Sequence, residues 1–113
     1  MRTEETVFKM YIKDTCPYCI KARDYVTNEL GASLHTIEVS KDDNLRQMII
    51  EDTGQTTVPV VFLGNKFIGG CDDLMKFGST SEGRIEVLHR EVDILRSQYD
   101  KIRLQIQKLV KSS

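Results

Sequence analysis

Apolar and polar residues alternate along the first two thirds of the chain in patterns that change from element to element. Thr6-Val7-Phe8-Lys9-Met10-Tyr11-Ile12 is apolar or β-prone at most positions, as a central strand covered on both faces is. From Pro17 to about Leu30 the apolar positions are Ile20, Tyr25, Val26 and Leu30, with Lys21, Arg23 and Asp24 among the rest, and Gly31 follows. That segment is predicted to be a helix with a C-terminal glycine stop. Ser33-Leu34-His35-Thr36-Ile37-Glu38-Val39 alternates at period two, and the preceding helix makes this second strand parallel to the first. Lys41-Asp42-Asp43-Asn44 supplies N-cap residues ahead of Leu45, Met48, Ile49 and Ile50, and Thr53-Gly54 closes that helix. Val58-Pro59-Val60-Val61-Phe62-Leu63 and Lys66-Phe67-Ile68 are predicted to form a hairpin across Gly64-Asn65. Asp72 or Asp73 is the predicted cap of a short helix ending near Phe77. The expected order is β-α-β-α-β-β-α: an α/β unit with a four-stranded mixed sheet flanked by helices, its βαβ crossover right-handed. Met10, Tyr11 and Phe62 are expected in the core.

The pattern changes after residue 78. Ile85, Leu88, Val92, Leu95, Tyr99, Ile102, Ile106 and Leu109 recur at alternating spacings of three and four. A period of 3.5 residues marks the a and d positions of a coiled-coil seam. The division drawn from this is a compact unit over 1–78 and a helical extension over 79–113, with self-association expected through 85–109. A helix from Ser81 to about Lys111 would be about 45 Å long at 1.5 Å per residue, more than a domain of this size covers. Ser79-Thr80-Ser81-Glu82 fits a capping box, although Gly83 weakens the first turn. Val87 and Ile94, both at c, widen the apolar face in the first half, the part expected to pack on the sheet. Glu82 and Glu86 near the start and Lys108 and Lys111 near the end suit the helix dipole.

Length and charge narrow the possibilities. The chain has 113 residues and a formal net charge of −1, enough for one domain with an appendage and no bulk electrostatic case for nucleic acid or an anionic membrane. No apolar h-region follows Arg2, and no run is long enough to span a bilayer. Three cysteines are too few for a disulfide-stapled secreted scaffold. A Cys-x-x-Cys beside a βαβ pattern points instead to redox chemistry in a reducing compartment, the cytoplasm.

That pair is Cys16-Pro17-Tyr18-Cys19. Proline suits the first helical position, where no donor is needed, so Cys16 becomes the N-cap. A thiolate there faces free N–H groups, such as those of Tyr18 and Cys19, and the positive end of the helix dipole. Lys13 adds a cation. These influences lower a thiol's pKa and make it a nucleophile at neutral pH. Cys16 is therefore expected to attack disulfides, and Cys19, deeper in the helix, to resolve the product. Pro59 is awkward in a strand that reads as central, because it donates nothing to the ladder.

Three motifs in order, Lys13 with Cys16-Pro17-Tyr18-Cys19, then Thr53-Gly54-Gln55 leading into Thr57-Val58-Pro59, then Gly69-Gly70-Cys71-Asp72-Asp73, make residues 5 to 78 resemble a dithiol glutaredoxin of the thioredoxin-like fold. Thioredoxins typically carry Trp-Cys-Gly-Pro-Cys, and this chain has no tryptophan. The resemblance implies a glutathione-dependent thiol–disulfide oxidoreductase acting on protein disulfides and glutathione mixed disulfides. Glutathione is the implied electron donor, and no metal is expected. It further implies a cis Pro59 facing the active cysteine, with the backbone of Val58 pairing with glutathione as an added strand. Gly70, Cys71 and the start of the following helix would cradle the γ-glutamyl carboxylate, and Asp72 or Asp73 would meet its ammonium group. Lys13 and Gln55 would hold the glycine carboxylate, with Tyr18 and Thr57 walling the groove. One departure stands out: glutaredoxins often carry a basic residue beside Thr-Val-Pro, and Gln55-Thr56 and Val60-Val61 supply none.

Plainer roles stand beside these. Cys71 also reads as a small buried hydrophobe or an oxidation-sensitive thiol, the Asp pair as a helix cap, and His35 and His89 as structural or solvent-facing. Two other functions fit the same residues: binding of a glutathione-ligated [2Fe–2S] cluster between two subunits, and an adaptor whose working part is the coiled coil. Family members that bind clusters usually carry smaller residues than Pro17-Tyr18, and an intact dithiol argues against a mere adaptor.

Overall fold

The computed structural model describes residues 6–112, with side chains through residue 108. Four strands, β1 (Phe8–Ile12), β2 (Leu34–Glu38), β3 (Val60–Leu63) and β4 (Lys66–Gly69), form one sheet in the order β2-β1-β3-β4. The helices are α1 (Pro17–Asp24), α2 (Asp43–Thr53), α3 (Cys71–Gly78) and α4 (Ser81–Ser112). β1 runs parallel to β2 and antiparallel to β3, and β3 and β4 form the hairpin. The predicted thioredoxin-like order and strand directions are those observed.

Alternation along the central strands sorts the core into two layers. Phe8 and Met10 of β1, with Val61 and Leu63 of β3, face α1, α3 and the start of α4, where Ala22, Val26, Leu74 and Val87 complete a fully buried cluster. On the other face Tyr11 and Phe62 pack edge to face, 6.0 Å between ring centroids, against Val39, Ile49 and Val60 beneath α2. Both faces of β1 and β3 are covered, which is why these strands read as nearly continuous apolar runs. Burying each such Phe, Met, Leu or Val side chain contributes about 1.5–3 kcal/mol.

The turns follow their glycines where a left-handed residue is required: Gly31 (φ 60°) after the first helical segment and Gly54 (φ 77°) after α2. Asp42 caps α2, its carboxylate accepting from the Leu45 N–H at 3.0 Å.

Three local expectations are corrected. The first helix does not run as α-helix to Leu30: after Asp24 it widens into a π-helical turn over Tyr25–Glu29, closed by Leu30 N–H to Tyr25 O at 3.0 Å. Tyr25 and Leu30 both pack against the core. Five residues apart, they would sit roughly 140° apart on an α-helix, and the wider turn brings them to one side. Second, Gly70, not Asp72 or Asp73, is the N-cap of α3, and Asp73 instead accepts from the Gly70 N–H at 3.4 Å. Third, α4 is not capped by the Ser79–Glu82 box. Thr80 caps it, Oγ1 accepting from the Gly83 N–H at 3.0 Å, and Gly83 is needed there because a Cβ would run into the Phe77 carbonyl oxygen.

The first half of α4 is fixed to the domain by Val87, 2% exposed, and by Ile94. Polar contacts add to this: Arg84 Nε donates to Gly78 O at 2.7 Å, and Glu91 accepts from Ser33 N–H at 2.8 Å and Ser33 Oγ at 3.3 Å. Residues 95–108 are all exposed. The radius of gyration, 16.7 Å, exceeds the roughly 13 Å of a compact chain of this length, as a projecting helix requires.

Candidate active site

The predicted site residues come from three turns at one end of the sheet. Cys16 follows β1, and its backbone (φ −88°, ψ 115°) makes it the N-cap of α1, with Pro17 in the first helical position as expected. The Val58–Pro59 peptide is cis and enters β3 from the α2–β3 loop. β4 then ends at Gly69 (φ 130°), where a Cβ would run into the Asp73 carboxylate. The C-terminal ends of β1 and β4 and the N-terminal end of β3 coincide here because of the strand directions.

Between these turns lies a groove of about 580 Å³. Its walls are Lys13 and Tyr18 from the first turn, Gln55, Thr57, Val58 and Pro59 from the second, and Gly70, Cys71, Asp72 and Asp73 from the third. Cys16 stands at its edge, its thiol donating to the Val58 carbonyl oxygen at 3.7 Å. Tyr18 is exposed and Cys19 is buried.

The two thiols are electrostatically unequal. Burial alone would raise the pKa of Cys16, but hydrogen bonding from the Cys19 thiol and from the N–H groups of Cys19 and Tyr18, with the Lys13 charge, outweighs it and brings the thiol below its ordinary value. Burial pushes Cys19 up to about 11, only partly offset by hydrogen bonding with the Lys13 backbone, while Cys16 and Glu38 raise it further. Cys71 is also raised by burial, its sulfur 4.0 Å from Met75 Sδ. A half-buried thiol that ionises more readily than an ordinary cysteine, beside one that ionises less readily, is an arrangement suited to disulfide exchange.

Two features had no signal in the sequence. Gln55 turns its amide inward, Nε2 donating to Thr57 O at 2.9 Å and Pro59 O at 2.8 Å, and so braces the loop that presents Val58. Glu38, next to the β1–α1 loop through its pairing with Ile12, accepts from Ser40 N–H at 2.8 Å and from the Ser40 hydroxyl. A hydrogen bond from Asp14, with those from Ser40, carries Glu38 down to about 2, while the same bond and the Glu38 charge raise Asp14. Only the parallel register brings these residues together. Among the described residues no group of three His, Cys, Asp or Glu side chains is placed to hold a metal ion, and no helix is long and apolar enough to cross a membrane.

The glutaredoxin family model matches residues 8–68, more than half of the chain. The chain belongs to the glutaredoxin family. Glutaredoxins are thiol–disulfide oxidoreductases, and so is this chain. It is 36% identical to glutaredoxin-C6 of rice over 91 residues, covering 78% of this chain and 79% of the relative. It is 38% identical to glutaredoxin 3 of Escherichia coli K12 over 66 residues, covering 58% and 78%. A buckwheat glutaredoxin–glutathione complex superimposes with a TM-score of 0.69 at 30% identity, covering 76% of this glutaredoxin and 80% of that chain. All of α4 lies beyond the family-model match.

Proposed function

We propose that this glutaredoxin uses glutathione as electron donor and works through Cys16-Pro17-Tyr18-Cys19 on protein disulfides and glutathione mixed disulfides. The observation that carries the reading is the groove beside Cys16, whose lining contains both a carboxylate-accepting helix start at Gly70–Asp73 and a cation at Lys13. The buckwheat relative, described as a glutathione complex, supports it.

In this reading the Cys16 thiolate attacks one sulfur of the target disulfide. A bond forms from Cys16 to that sulfur, and the other leaves as a thiolate that takes up a proton. For a protein target, Cys19 then attacks Cys16, which gives an intramolecular disulfide and a reduced product; two glutathione molecules restore the dithiol and leave as glutathione disulfide. For a glutathione mixed disulfide, the glutathionyl group stays on Cys16, and a second glutathione removes it. The backbone of Val58 holds glutathione by strand addition. The N-terminal N–H groups of α3 take the γ-glutamyl carboxylate, and Asp72 meets the ammonium, since Asp73 is engaged with Gly70. Lys13 takes the glycine carboxylate at the far end. Gln55 keeps the groove in shape, because its amide donors are committed to the loop. Cys71 is a buried part of the wall. Residues 1–78 constitute the redox domain and 79–113 a helical extension whose first half packs on it, and the reducing chemistry suits the cytoplasm.

The test is a glutathione-coupled assay on a small glutathione mixed disulfide. Cys16→Ser abolishes turnover, and Cys19→Ser retains much of it. Equal loss in the two variants would overturn the assigned order.

A further inference from the structure

Seven residues of α4, Ile85, Leu88, Val92, Leu95, Tyr99, Ile102 and Ile106, are each 48–61% exposed and share one stripe. The domain leaves this stripe largely uncovered, with only Leu88 of the stripe bordering it beside Leu30. It holds α4 by Val87 and Ile94 at c and by Glu91 at g, and position c lies roughly 130° around the helix from the a/d seam at 100° per residue. The face that binds the sheet and the face with the heptad repeat are therefore different faces.

We infer that the seam pairs in parallel with the same seam of a second copy of this chain, forming a two-stranded coiled coil that leaves each redox groove uncovered. The side chains point to two strands. Three a positions are β-branched (Ile85, Val92, Ile106) and two described d positions are leucine (Leu88, Leu95), the combination that favours dimers. Charge selects the direction. Arg96 and Arg103 both occupy e, so an antiparallel pair, in which e faces e, would set arginine against arginine. In a parallel pair g faces the next e, matching Glu91 with Arg96 and Gln98 with Arg103 of the second copy. Glu91 has acceptor capacity left after its bonds to Ser33.

The area is adequate. Seven aliphatic or aromatic side chains at about 60–120 Å² each give on the order of 600 Å² per chain, before the flanking e and g residues are added, against about 800 Å² per partner in a standard stable interface. Access to the thiols is preserved because every anchor of α4 is at the end of the sheet away from Cys16. Ser33 precedes β2 and Gly78 ends α3, while Gly64, packed by Arg90, follows β3 in the β3–β4 turn.

Sedimentation equilibrium of the reduced full chain across a wide dilution series tests this. The expected mass is that of two chains. Leu95→Asp with Ile102→Asp, both on the exposed half of α4, halves it and leaves turnover per chain unchanged, which also shows that the domain remains folded. A single-chain mass for the wild type at every concentration, a mass above two chains, or an undiminished mass for the double variant would overturn the proposal. Direction is read by oxidative cross-linking of Ile106→Cys in a Cys16→Ser, Cys19→Ser, Cys71→Ala background. Ready cross-linking supports the parallel pair; cross-linking only when mixed with Leu88→Cys overturns it.

Discussion

The inequality of the two thiols is open to direct chemical test. Cys19, with a pKa of about 11, is ionised at pH 7 in about one molecule in ten thousand. Cys16 lies below its ordinary value of 9.0, so more than about one in a hundred is thiolate at the same pH. That is a ratio of at least ~100 in thiolate fraction. The more basic thiolate of Cys19 is intrinsically the better nucleophile, and a Brønsted slope of about 0.4–0.5 over two units returns a factor of ~6–10. Cys16 is then alkylated at least ~10 times faster, and the burial of Cys19, 3% exposed, widens the gap. The assay is brief treatment of the reduced protein with limiting iodoacetamide at pH 7, followed by peptide mass spectrometry. Nearly all label is expected on Cys16, little on Cys19 and little on the buried Cys71. Repeated across pH, the Cys16 rate has its inflection below 9.0 in the wild type, and in Lys13→Gln the inflection moves upward. Labelling of Cys19 within threefold of Cys16, or an inflection unmoved in Lys13→Gln, would refute the account of how the N-cap and Lys13 act on the sulfur.

Two further outcomes follow from the same geometry. Gly83→Ala, a change that in an unhindered helix interior stabilises by about 0.5–1 kcal/mol, is expected to destabilise here by roughly 1–3 kcal/mol, because its Cβ meets the Phe77 carbonyl; denaturant midpoints read the sign. Asp14→Asn is expected to raise Tm at pH 7. The Asp14 pKa is raised by its hydrogen bond to Glu38 and by that charge, so its stabilising contribution is present below the ordinary 3.8 and is lost as pH rises through the folded value. Asparagine keeps a donor and removes the charge, so the advantage over wild type shrinks as pH is lowered to about 3, where Asp14 is itself protonated. A lower Tm at pH 7 would contradict this.

What was legible in the sequence is what depends on local period and local backbone need. β1 and β3 declared themselves by apolar continuity, α2 by Asp42 and Gly54, and the first helical stop by Gly31. The c positions Val87 and Ile94 mark the half of α4 that packs on the domain, but the sequence pattern presents them as a widening of the heptad face, and only the packing separates the two. The groove came from three motifs read together, since each turn alone is weak and only the family resemblance says that they meet. What escaped depends on contacts across the fold. The π-helical turn exists because Tyr25 and Leu30 share a core side, a demand set by packing rather than propensity. From the sequence, Asp72 or Asp73 reads as the cap because carboxylates favour that position. The Gly69–Gly70 turn instead puts the glycine at the boundary and turns Asp73 back to it. The Glu38, Ser40 and Asp14 cluster depends on the parallel register of β1 and β2, and the role of Gln55 depends on its side chain reaching two carbonyls, two and four residues ahead, in the same loop.

The directions of the strands also separate the chemistry from the appendage. β1 carries Cys16 beyond its C-terminal end, and the antiparallel β3 and parallel β4 bring Val58 and Gly70 to that same end. Everything that fixes α4 belongs to the opposite end, because α3 starts at the groove and runs away from it before the corner at Ser79. Residues 95–108 are exposed and lie beyond the last of these anchors, Ile94. An extension added at this end can pair two redox domains without covering the groove that each presents. The same extension entering from the groove end would have had to pass over Tyr18 and the α3 start, which line the groove beside Val58.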